Sequence, residues 1–590
     1  MSPAQSSSSS LSLPPRRGFP GTASSLLLYA LLTGILTWPL ILHLEDRLPA
    51  GGNDLWQNYW NFWWWETTLE QGKSPYSTDL IYQPGRVSLA FHTHSEANIV
   101  LTLPLLFAFG VPCALNTAVL LGFVFAGWGG YLLARELVGN AKAAFVGGVV
   151  LAFFPYHFEQ SLEHLNLASY QAMPFFLYFL IRLARQGGWR HVTLTALFFA
   201  LNSLYSWHNG LIILPLALGL FFHELWSPAR PRPVILRDAV LSGSLAALVL
   251  LPFAWPMLRE ILAGDTSYLK PLVNKGIDPL FLVVPPERHP IWGGVFQGLY
   301  ERYRGYASAG FTCYLGIVPL GLWAANMRYR KQPTIFWTGL FVTHLLFALG
   351  DPLTIAGHET RVRLPYTLVK YMPLFQTLRV ANRFVVPAMV AFSVLVAHGT
   401  MRFLSRRGAF PVILGLLILD LLWVPYPIQE VPRPRWTELI SSAPKGFLLD
   451  IPGGYRARGA EDMFYQTLHH RPMVGGYSSC IPPSIERRVE ELPFLKLIFE
   501  GRPEIQVEIE GGLEQTLSQL PIGVVVVHLQ RTRENLERLH QAGKGRQFNP
   551  EKGIAAKILG EIRSALRKLW GEPYYQDSEV ELFGRPEKPR

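Results

Sequence analysis

The residue types best suited to chemistry lie in the first long polar segment of the chain. Asp54 follows a Gly-Gly-Asn run and begins an aromatic stretch, DLWQNYWNFWWWETTLE, whose spacing predicts a helix over 54–70. Four tryptophans share one face of this helix, which favours a place among lipid headgroups. The carboxylate can cap the helix by accepting amide hydrogens of the first turn, or it can act as a general base on a lipid-linked substrate. We assign Asp54 the catalytic role and keep the cap as the alternative.

The segment FHTHSEAN (91–98) offers a second kind of chemistry. His92, His94 and Glu96 alternate along the chain, so an extended strand would place all three side chains on one face. Imidazole nitrogens and a carboxylate suit a divalent metal ion. Hydrogen bonding to substrate or backbone is the alternative role. A divalent metal cofactor is therefore an expectation that the sequence permits but does not require.

Two later polar segments contribute candidate substrate-binding residues. In PYHFEQSLEHLNLASYQ (155–171) all formal charges are acidic, and Glu159 and His164 are the candidates; a solvated amphipathic turn is the alternative. SWHNG predicts a tight hairpin between two apolar runs, because Asn and Gly are common turn residues. His208 in this hairpin is the third candidate.

Two arginines in QTLRVANRF, Arg379 and Arg383, are candidates for binding an anion. A guanidinium group forms a planar fork that matches phosphate oxygens. The alternative is that both side chains anchor a helix end at the lipid headgroups.

Composition places these residues in a membrane protein. The 590 residues are 49% apolar and 16% charged, with a mean hydropathy of +0.20, whereas ordinary soluble domains are about 25% charged. Apolar runs that approach the about 17–25 residues needed to cross a bilayer lie near 24–44, 115–135, 143–156, 169–186, 191–207, 210–226, 235–258, 310–327, 333–350, 380–402 and 409–427. Residues 97–112 are apolar but short and contain two prolines, which predicts a re-entrant or interfacial segment.

The basic residues predict one orientation for these spans. Arg16, Arg17 and the alternate loops that follow hold 16 basic residues against two acidic ones. Because Lys and Arg concentrate on the cytoplasmic side, we expect an inner (plasma) membrane protein with its N-terminus inside and Asp54 outside. The net charge of +11 then reflects topology and gives no argument for a nucleic-acid partner. A twin-arginine export signal is the alternative interpretation of Arg16 and Arg17.

The chain is expected to divide into three parts. Residues 1–23 form a cytoplasmic tail, 24–427 a transmembrane domain whose first outer loop covers 45–96, and 428–590 a soluble extracytoplasmic domain. The last part holds 45 charged residues, and its runs GFLLDIP, IGVVVVHL and VELFGRP predict strands between helical segments. The predicted fold class is mainly α: a polytopic membrane helix bundle of about 11 spans with re-entrant and interfacial helices, followed by a small α/β domain.

The order of these parts resembles that of the GT-C superfamily of integral membrane glycosyltransferases. The resemblance rests on the first span, the acidic outer loop with Asp54, and the motifs GKSPYSTDLIYQPG, YLLARELVGNAKAAFVGGVVLAFFPY and LRVANRFVVPA. The resemblance covers residues 24–427. Within the superfamily, the chain is most similar to bacterial relatives of the dolichyl-phosphate-mannose-dependent mannosyltransferases. In that family the first-loop aspartate is the base or an orienting carboxylate, a role that would carry over to Asp54. Many members have paired acidic residues there, whereas Asn53 precedes Asp54 in this chain.

This resemblance implies a membrane glycosyltransferase of the cell envelope. It would move a sugar, with inversion, from a polyprenyl-phosphate donor to an extracytoplasmic glycan, lipid or protein acceptor, and the donor and membrane lipid are the expected partners. The alternatives are a lipid or polysaccharide transporter (flippase) and a non-catalytic assembly partner. Transporters commonly carry internal repeats, and we detect none in this sequence.

Overall fold

Helices account for most of the chain up to residue 420. The computed structural model describes residues 21–264, 276–303, 312–328, 332–372, 375, 378, 380–456, 458–500, 508–532, 534 and 554–586. The helices of this first part are α1 (Thr22–Leu36), α2 (Asn53–Glu70), α3 (Glu96–Val138), α4 (Ala141–Phe153), α5 (Pro155–Glu163), α6 (Leu165–Ala168), α7 (Ala172–Arg185), α8 (Trp189–Tyr205), α9 (Trp207–Ile212), α10 (Leu214–Trp226), α11 (Arg232–Leu262), α12 (Gly293–Tyr303), α13 (Ile317–Met327), α14 (Gln332–Ala348), α15 (Val385–Thr400) and α16 (Ala409–Asp420). Short 3₁₀ helices cover Leu40–Leu42, Pro279–Leu282, Pro365–Tyr371 and Ala381–Phe384.

Each apolar run that was predicted to span the membrane coincides with one of these helices or with a pair of them. Within the described residues, six segments are long and apolar enough to cross a bilayer: Glu96–Val138, Ala141–Glu163, Leu165–Arg185, Trp207–Trp226, Arg232–Leu262 and Ala381–Thr400. α4 and α15 form the centre of the bundle, since nearly all their side chains are buried and both pack against α3. The protein is a multi-pass membrane protein.

The segment predicted to be re-entrant is the first part of α3. The helix starts at Glu96 and breaks at Gly110, whose φ of 78° and ψ of −179° interrupt the helical path and suit a residue without a side chain. Apolar side chains before the break, including Leu101, Phe107 and Phe109, are exposed. At 1.5 Å per residue, these ~14 residues reach about 21 Å, which is short of the about 30 Å hydrocarbon core. The dimensions favour the interfacial or re-entrant position.

A small sheet follows the helical bundle. The strands of the chain are β1 (Arg47–Pro49), β2 (Ser77–Thr78), β3 (Val87–Ser88), β4 (Thr354–Ile355), β5 (His358–Glu359), β6 (Ile428–Glu430), β7 (Phe447–Ile451), β8 (Ile522–His528), β9 (Tyr575–Gln576) and β10 (Val580–Gly584). The late helices are α17 (Trp436–Ile440), α18 (Gly459–His469), α19 (Pro483–Glu491), α20 (Pro493–Glu500), α21 (Ile509–Gln519) and α22 (Ile554–Trp570). In the sheet, ordered β7-β8-β10-β9, β7 runs parallel to β8 and the other pairs are antiparallel. The predicted fold class is confirmed.

The first outer loop is held on this last part of the chain. β1 pairs antiparallel with β6. Arg488 on α19 donates hydrogen bonds to the three main-chain carbonyl oxygens of residues 82–84, at 2.9 to 3.0 Å. Gln466 on α18 donates to the carbonyl oxygen of Leu80 at 2.7 Å. The loop that carries Asp54 is therefore fixed by residues far along the chain.

The tryptophans of α2 face protein and not lipid headgroups, so that prediction is wrong. Trp60 is fully buried, and its indole Nε1 donates to Gln466 Oε1 at 2.8 Å. Trp56 packs on Phe464 of α18, with ring centres 4.5 Å apart. An apolar helix face has the same sequence pattern whether lipid or protein covers it, and here α18 supplies the cover.

Replacing the arginine that clamps residues 82–84 should loosen the first outer loop. In Arg488→Gln, we expect the free energy of unfolding to fall by about 1–3 kcal/mol, because carbonyl groups lose a charged donor. Limited proteolysis within residues 72–90 should become faster, and thermal unfolding in detergent should occur at a lower temperature. Arg487→Gln is the matched control, since Arg487 is exposed on the same helix. Equal proteolysis of the two variants would contradict the clamp.

Candidate active site

Asp54 pairs with His164 where two helix ends meet. Its Oδ2 lies 3.2 Å from His164 Nε2, and the two side chains are 33% and 32% exposed. α2 begins one residue earlier, and Gly52 occupies the cap position without a side-chain cap hydrogen bond. Asp54 therefore lies in the first helical turn, where the helix dipole favours a negative charge, and it does not cap the helix. The pair is accessible to a substrate.

Two glycines allow the start of α2 to lie close to the end of α5. A Cβ on Gly51 would lie 2.1 Å from the carbonyl oxygen of Leu162, and one on Gly52 would lie 2.4 Å from Glu163 Oε2. The amide of Gly52 also donates to Glu163 Oε2 at 2.9 Å. The Gly-Gly pair thus lets the start of α2 rest directly on the end of α5, which precedes His164.

Glu163 and Asn58 complete the arrangement. Glu163 Oε1 lies 3.7 Å from His164 Nδ1, so the imidazole has a carboxylate near each of its nitrogens. Asn58, one helical turn after Asp54, donates from Nδ2 to the main-chain oxygens of Asp54 at 2.8 Å and Glu163 at 2.9 Å. These contacts fix α2 and α5 relative to one another.

The charges around His164 favour its protonated form. Burial lowers the pKa of His164, but the hydrogen bond that its Nε2 donates to Asp54 and the charges of Asp54 and Glu163 raise it more, and the positive charge of Arg383 opposes them in part. The net result is a raised pKa. Arg383 lies in the 3₁₀ turn before α15. The structure therefore brings Asp54, His164 and Arg383, three of the predicted residues, into one electrostatic neighbourhood.

Glu159 belongs to the same neighbourhood. It lies one turn before Glu163 on α5, and the charges of Glu163 and His164 act on its carboxyl group. Arg288, from the segment between α11 and α13, also acts on Glu159. A segment that holds none of the candidate residues thus contributes a cation beside the site.

The contribution of the Asp54–His164 pair to stability should depend on pH. A raised pKa means that the pair stabilises the fold most below the ordinary histidine value of about 6.5, and that this stabilisation is lost as the pH rises through the pKa of His164. We expect the gap in thermal unfolding temperature between the wild type and Asp54→Asn to be largest near pH 5–6 and to shrink by about pH 8. The same comparison in a His164→Gln background should show no such trend. A gap that is independent of pH would contradict the pairing.

His92 and His94 use their nitrogens within the protein. His92 Nε2 lies 2.9 Å from Asn61 Oδ1, and its Nδ1 accepts from the amide of Ser479 at 3.2 Å. His94 Nε2 faces the carbonyl oxygen of Leu89 at 3.0 Å, and Nδ1 accepts from Trp65. Burial lowers the pKa of His94 to about 4. This donor set does not fit a metal ion without breaking these bonds.

The structure does not place Glu96, His208 or Arg379 at the Asp54–His164 pair. Glu96 starts α3 instead of continuing a strand, and Tyr76 donates to its Oε1 at 3.4 Å. The metal-ligand role of His92, His94 and Glu96 stays a prediction. His208 is half-buried on α9. The chain turns there as predicted, since Gly210 lies against Ser203 of α8, but residues 207–210 are part of α9 instead of a loop. Arg379 lies outside the described residues.

Sequence reasoning missed Glu163, Asn58 and the role of the two glycines as site-forming residues. Each acts through a contact between segments more than 100 positions apart. A signal was present in the Gly-Gly pair before the helix, since adjacent glycines at a helix start indicate a close approach of another backbone.

Comparisons with known proteins bear on the fold. The arabinofuranosyltransferase AftD from Mycobacteria superposes with a TM-score of 0.50, at 17% identity over 86% of this chain and 36% of that chain. The oligosaccharyltransferase AglB from Archaeoglobus fulgidus, in complex with an inhibitory peptide and a dolichol-phosphate, gives 0.48 at 14% identity over 86% and 69%. ArnT from Cupriavidus metallidurans, bound to undecaprenyl phosphate, gives 0.46 at 11% identity over 95% and 98%. The resemblance to the GT-C superfamily is confirmed at the level of the fold.

A comparison with curated protein sequences gave no match. A domain family does match: the one described as Domain of unknown function (DUF6311) covers residues 114–422. That range is more than half of the chain and runs from α3 to just beyond α16. The chain therefore belongs to the DUF6311 family.

Proposed function

We propose that this protein transfers a sugar from a polyprenyl-phosphate donor to an acceptor on the extracytoplasmic side of the membrane. The observation that carries the proposal is the Asp54–His164 pair, which is one-third exposed beside a bundle of apolar helices. The charge of Arg383 reaches the same pair. AftD, which is similar in fold, is by name an arabinofuranosyltransferase, and this agrees with the reaction class.

In the proposed reaction the acceptor hydroxyl attacks the anomeric carbon of the donor sugar. The bond from that carbon to the phosphate oxygen breaks, and the polyprenyl phosphate leaves with the electron pair. Asp54 accepts the hydroxyl proton, a contribution of about 10² to 10⁴ in rate for a well-placed base. His164 orients the carboxylate by the contact at Nε2. Attack opposite to the leaving phosphate inverts the anomeric centre.

Arg383 is the proposed cation for the leaving phosphate. Its guanidinium group is half-buried in the turn that precedes α15, so its charge is only partly screened by water. A fixed cation at that point stabilises the charge that develops as the bond breaks. Arg379 keeps the same proposed role from the sequence.

The last part of the chain, residues 428–590, is proposed as an extracytoplasmic domain that positions α2. Its residues Gln466 and Arg488 hold the first outer loop. In this proposal the domain orients the base without contacting the sugar.

Incubation of the purified full-length protein in liposomes with a panel of radiolabelled polyprenyl-phosphate sugars tests the function. We expect one labelled donor to lose its sugar to an acceptor supplied from an envelope extract. A flippase would move the labelled lipid across the bilayer while the sugar stays attached. Transport of intact donor without release of sugar would therefore overturn the proposal.

A further inference from the structure

Three metal-ligating side chains meet in the small sheet, away from the candidate active site. Asp450 lies near the end of β7, and His528 is the last residue of β8, the parallel neighbour of β7. Asp462 lies in the first turn of α18. The carboxyl ends of adjacent parallel strands share one edge of a sheet, which is a common place for ligands in α/β domains.

The spacing of the donor atoms suits a bound cation. One donor atom from each of Asp450, Asp462 and His528 lies within 4.8 Å of the others. His528 Nε2 and Asp450 Oδ1 are 3.0 Å apart. Two ligand atoms that each lie about 2.0 Å from a tetrahedral zinc ion are about 3.3 Å apart. The His528 and Asp450 atoms therefore need to move apart only slightly to admit the ion.

A buried oxygen in the cluster lacks a partner among the described residues. Asp462 is fully buried; its Oδ1 accepts from Arg531 Nη2 at 2.6 Å, whereas its Oδ2 has no hydrogen-bond partner there. Leaving a buried carboxylate oxygen unpaired costs about 1–3 kcal/mol or more. A cation bound at Oδ2 would remove this cost, and Arg531 would hold the other oxygen, since carboxylates that ligate a metal commonly accept a hydrogen bond at their second oxygen.

Charge also favours a cation. Asp450, Asp462 and Glu461 surround the one guanidinium of Arg531, whose Nε lies 3.6 Å from Glu461 Oε2. Among the described residues three carboxyl groups therefore face one guanidinium, at a site where Asp450 and His528 are each 5% exposed. Mixed carboxylate and imidazole ligands are typical of zinc.

We propose that Asp450, Asp462 and His528 bind a zinc ion whose fourth position holds water. The ion joins β7, β8 and α18, and α18 is the helix that covers the tryptophans of α2. The site is independent of the proposed sugar transfer, since none of its ligands contributes to the Asp54–His164 pair.

The test uses the full-length protein, stripped with chelator, dialysed, and titrated with zinc alone. We expect about one tightly bound zinc per chain by elemental analysis, and a higher thermal unfolding temperature with zinc. Asp462→Asn and His528→Gln should lose this zinc. Glu461→Gln, on the same helical turn, and Asp54→Asn, in the candidate active site, should keep it. Absence of zinc from the wild type, or equal zinc in all four variants, would overturn the proposal.

Cobalt substitution of the unmodified chain keeps the proposal testable if the ligand variants fail to fold. Cobalt bound to the wild type should give the visible absorption of a four-coordinate site, and added zinc should abolish it. A spectrum that matches hydrated cobalt would count against the site. Loss of sugar transfer in Asp54→Asn with zinc retained would separate the two sites.

Discussion

Asp54→Asn should lower the rate of sugar transfer by about 10² to 10⁴ without loss of membrane insertion or folding. The amide keeps the size of the carboxylate but does not accept a proton from the acceptor hydroxyl. Binding of donor should change little, because the proposed contacts with phosphate come from Arg383. The measurement is single-turnover transfer from the donor identified in the panel, with insertion checked by protease protection.

Two further variants show whether the loss of activity is specific to Asp54 and whether Asp54 or His164 is the base. Asp79→Asn is the control, since Asp79 is exposed in the same outer loop. His164→Gln distinguishes base from orienting group: we expect a smaller loss than in Asp54→Asn, because the carboxylate remains. A larger loss in His164→Gln would make the imidazole the base and Asp54 its orienting partner. Full activity of Asp54→Asn would remove the catalytic assignment.

Arg383→Gln should lower kcat by about 10² to 10³, since a preorganised cation stabilises the leaving phosphate most in the transition state. Arg383→Lys should recover part of this loss, because it keeps the charge but not the planar fork. Removing the cation should also raise the pKa of His164, whose protonation Arg383 opposes. The measurement is kcat and KM for the identified donor, together with the pH dependence of kcat.

Arg406→Gln is the control for the loss of a positive charge, because it removes an arginine far from the candidate active site. Arg406 is exposed just beyond the far end of α15, on the side predicted to be cytoplasmic. Equal kcat in Arg383→Gln and Arg406→Gln would leave Arg383 as a headgroup anchor, the alternative that its sequence context already offered.

Local pattern was enough to predict the elements that build the bundle. The aromatic helix predicted over 54–70 is α2, because its spacing and first-turn Asp are local features. The three strand-like runs after residue 445 became β7, β8 and β10 for the same reason. Asp54 and His164 were both proposed from residue type and loop position, yet nothing local indicated that they would pair.

Local pattern could not predict which residues, far apart in the sequence, contact one another in the folded chain. The apolar face of α2 would look the same against lipid or protein, and only the assembled chain shows that α18 covers it. His92 and His94 have metal-like spacing, but Asn61 and Trp65 on α2 contact one ring nitrogen of each. The zinc ligands Asp450, Asp462 and His528 have no motif spacing, because they meet through the parallel pairing of β7 and β8.

The packing of α18 on α2 also fixes when the first outer loop can reach its final structure during synthesis. Trp60 and its partner Gln466 are 406 positions apart, so at 5–20 residues per second the ribosome needs about 20–80 s to deliver that partner. During that interval the tryptophan-rich face of α2 has no α18 to cover it. We infer that the first outer loop reaches its final structure late in synthesis. A chain that stops before α18 would leave the apolar face of α2 exposed to chaperones, proteases or self-association.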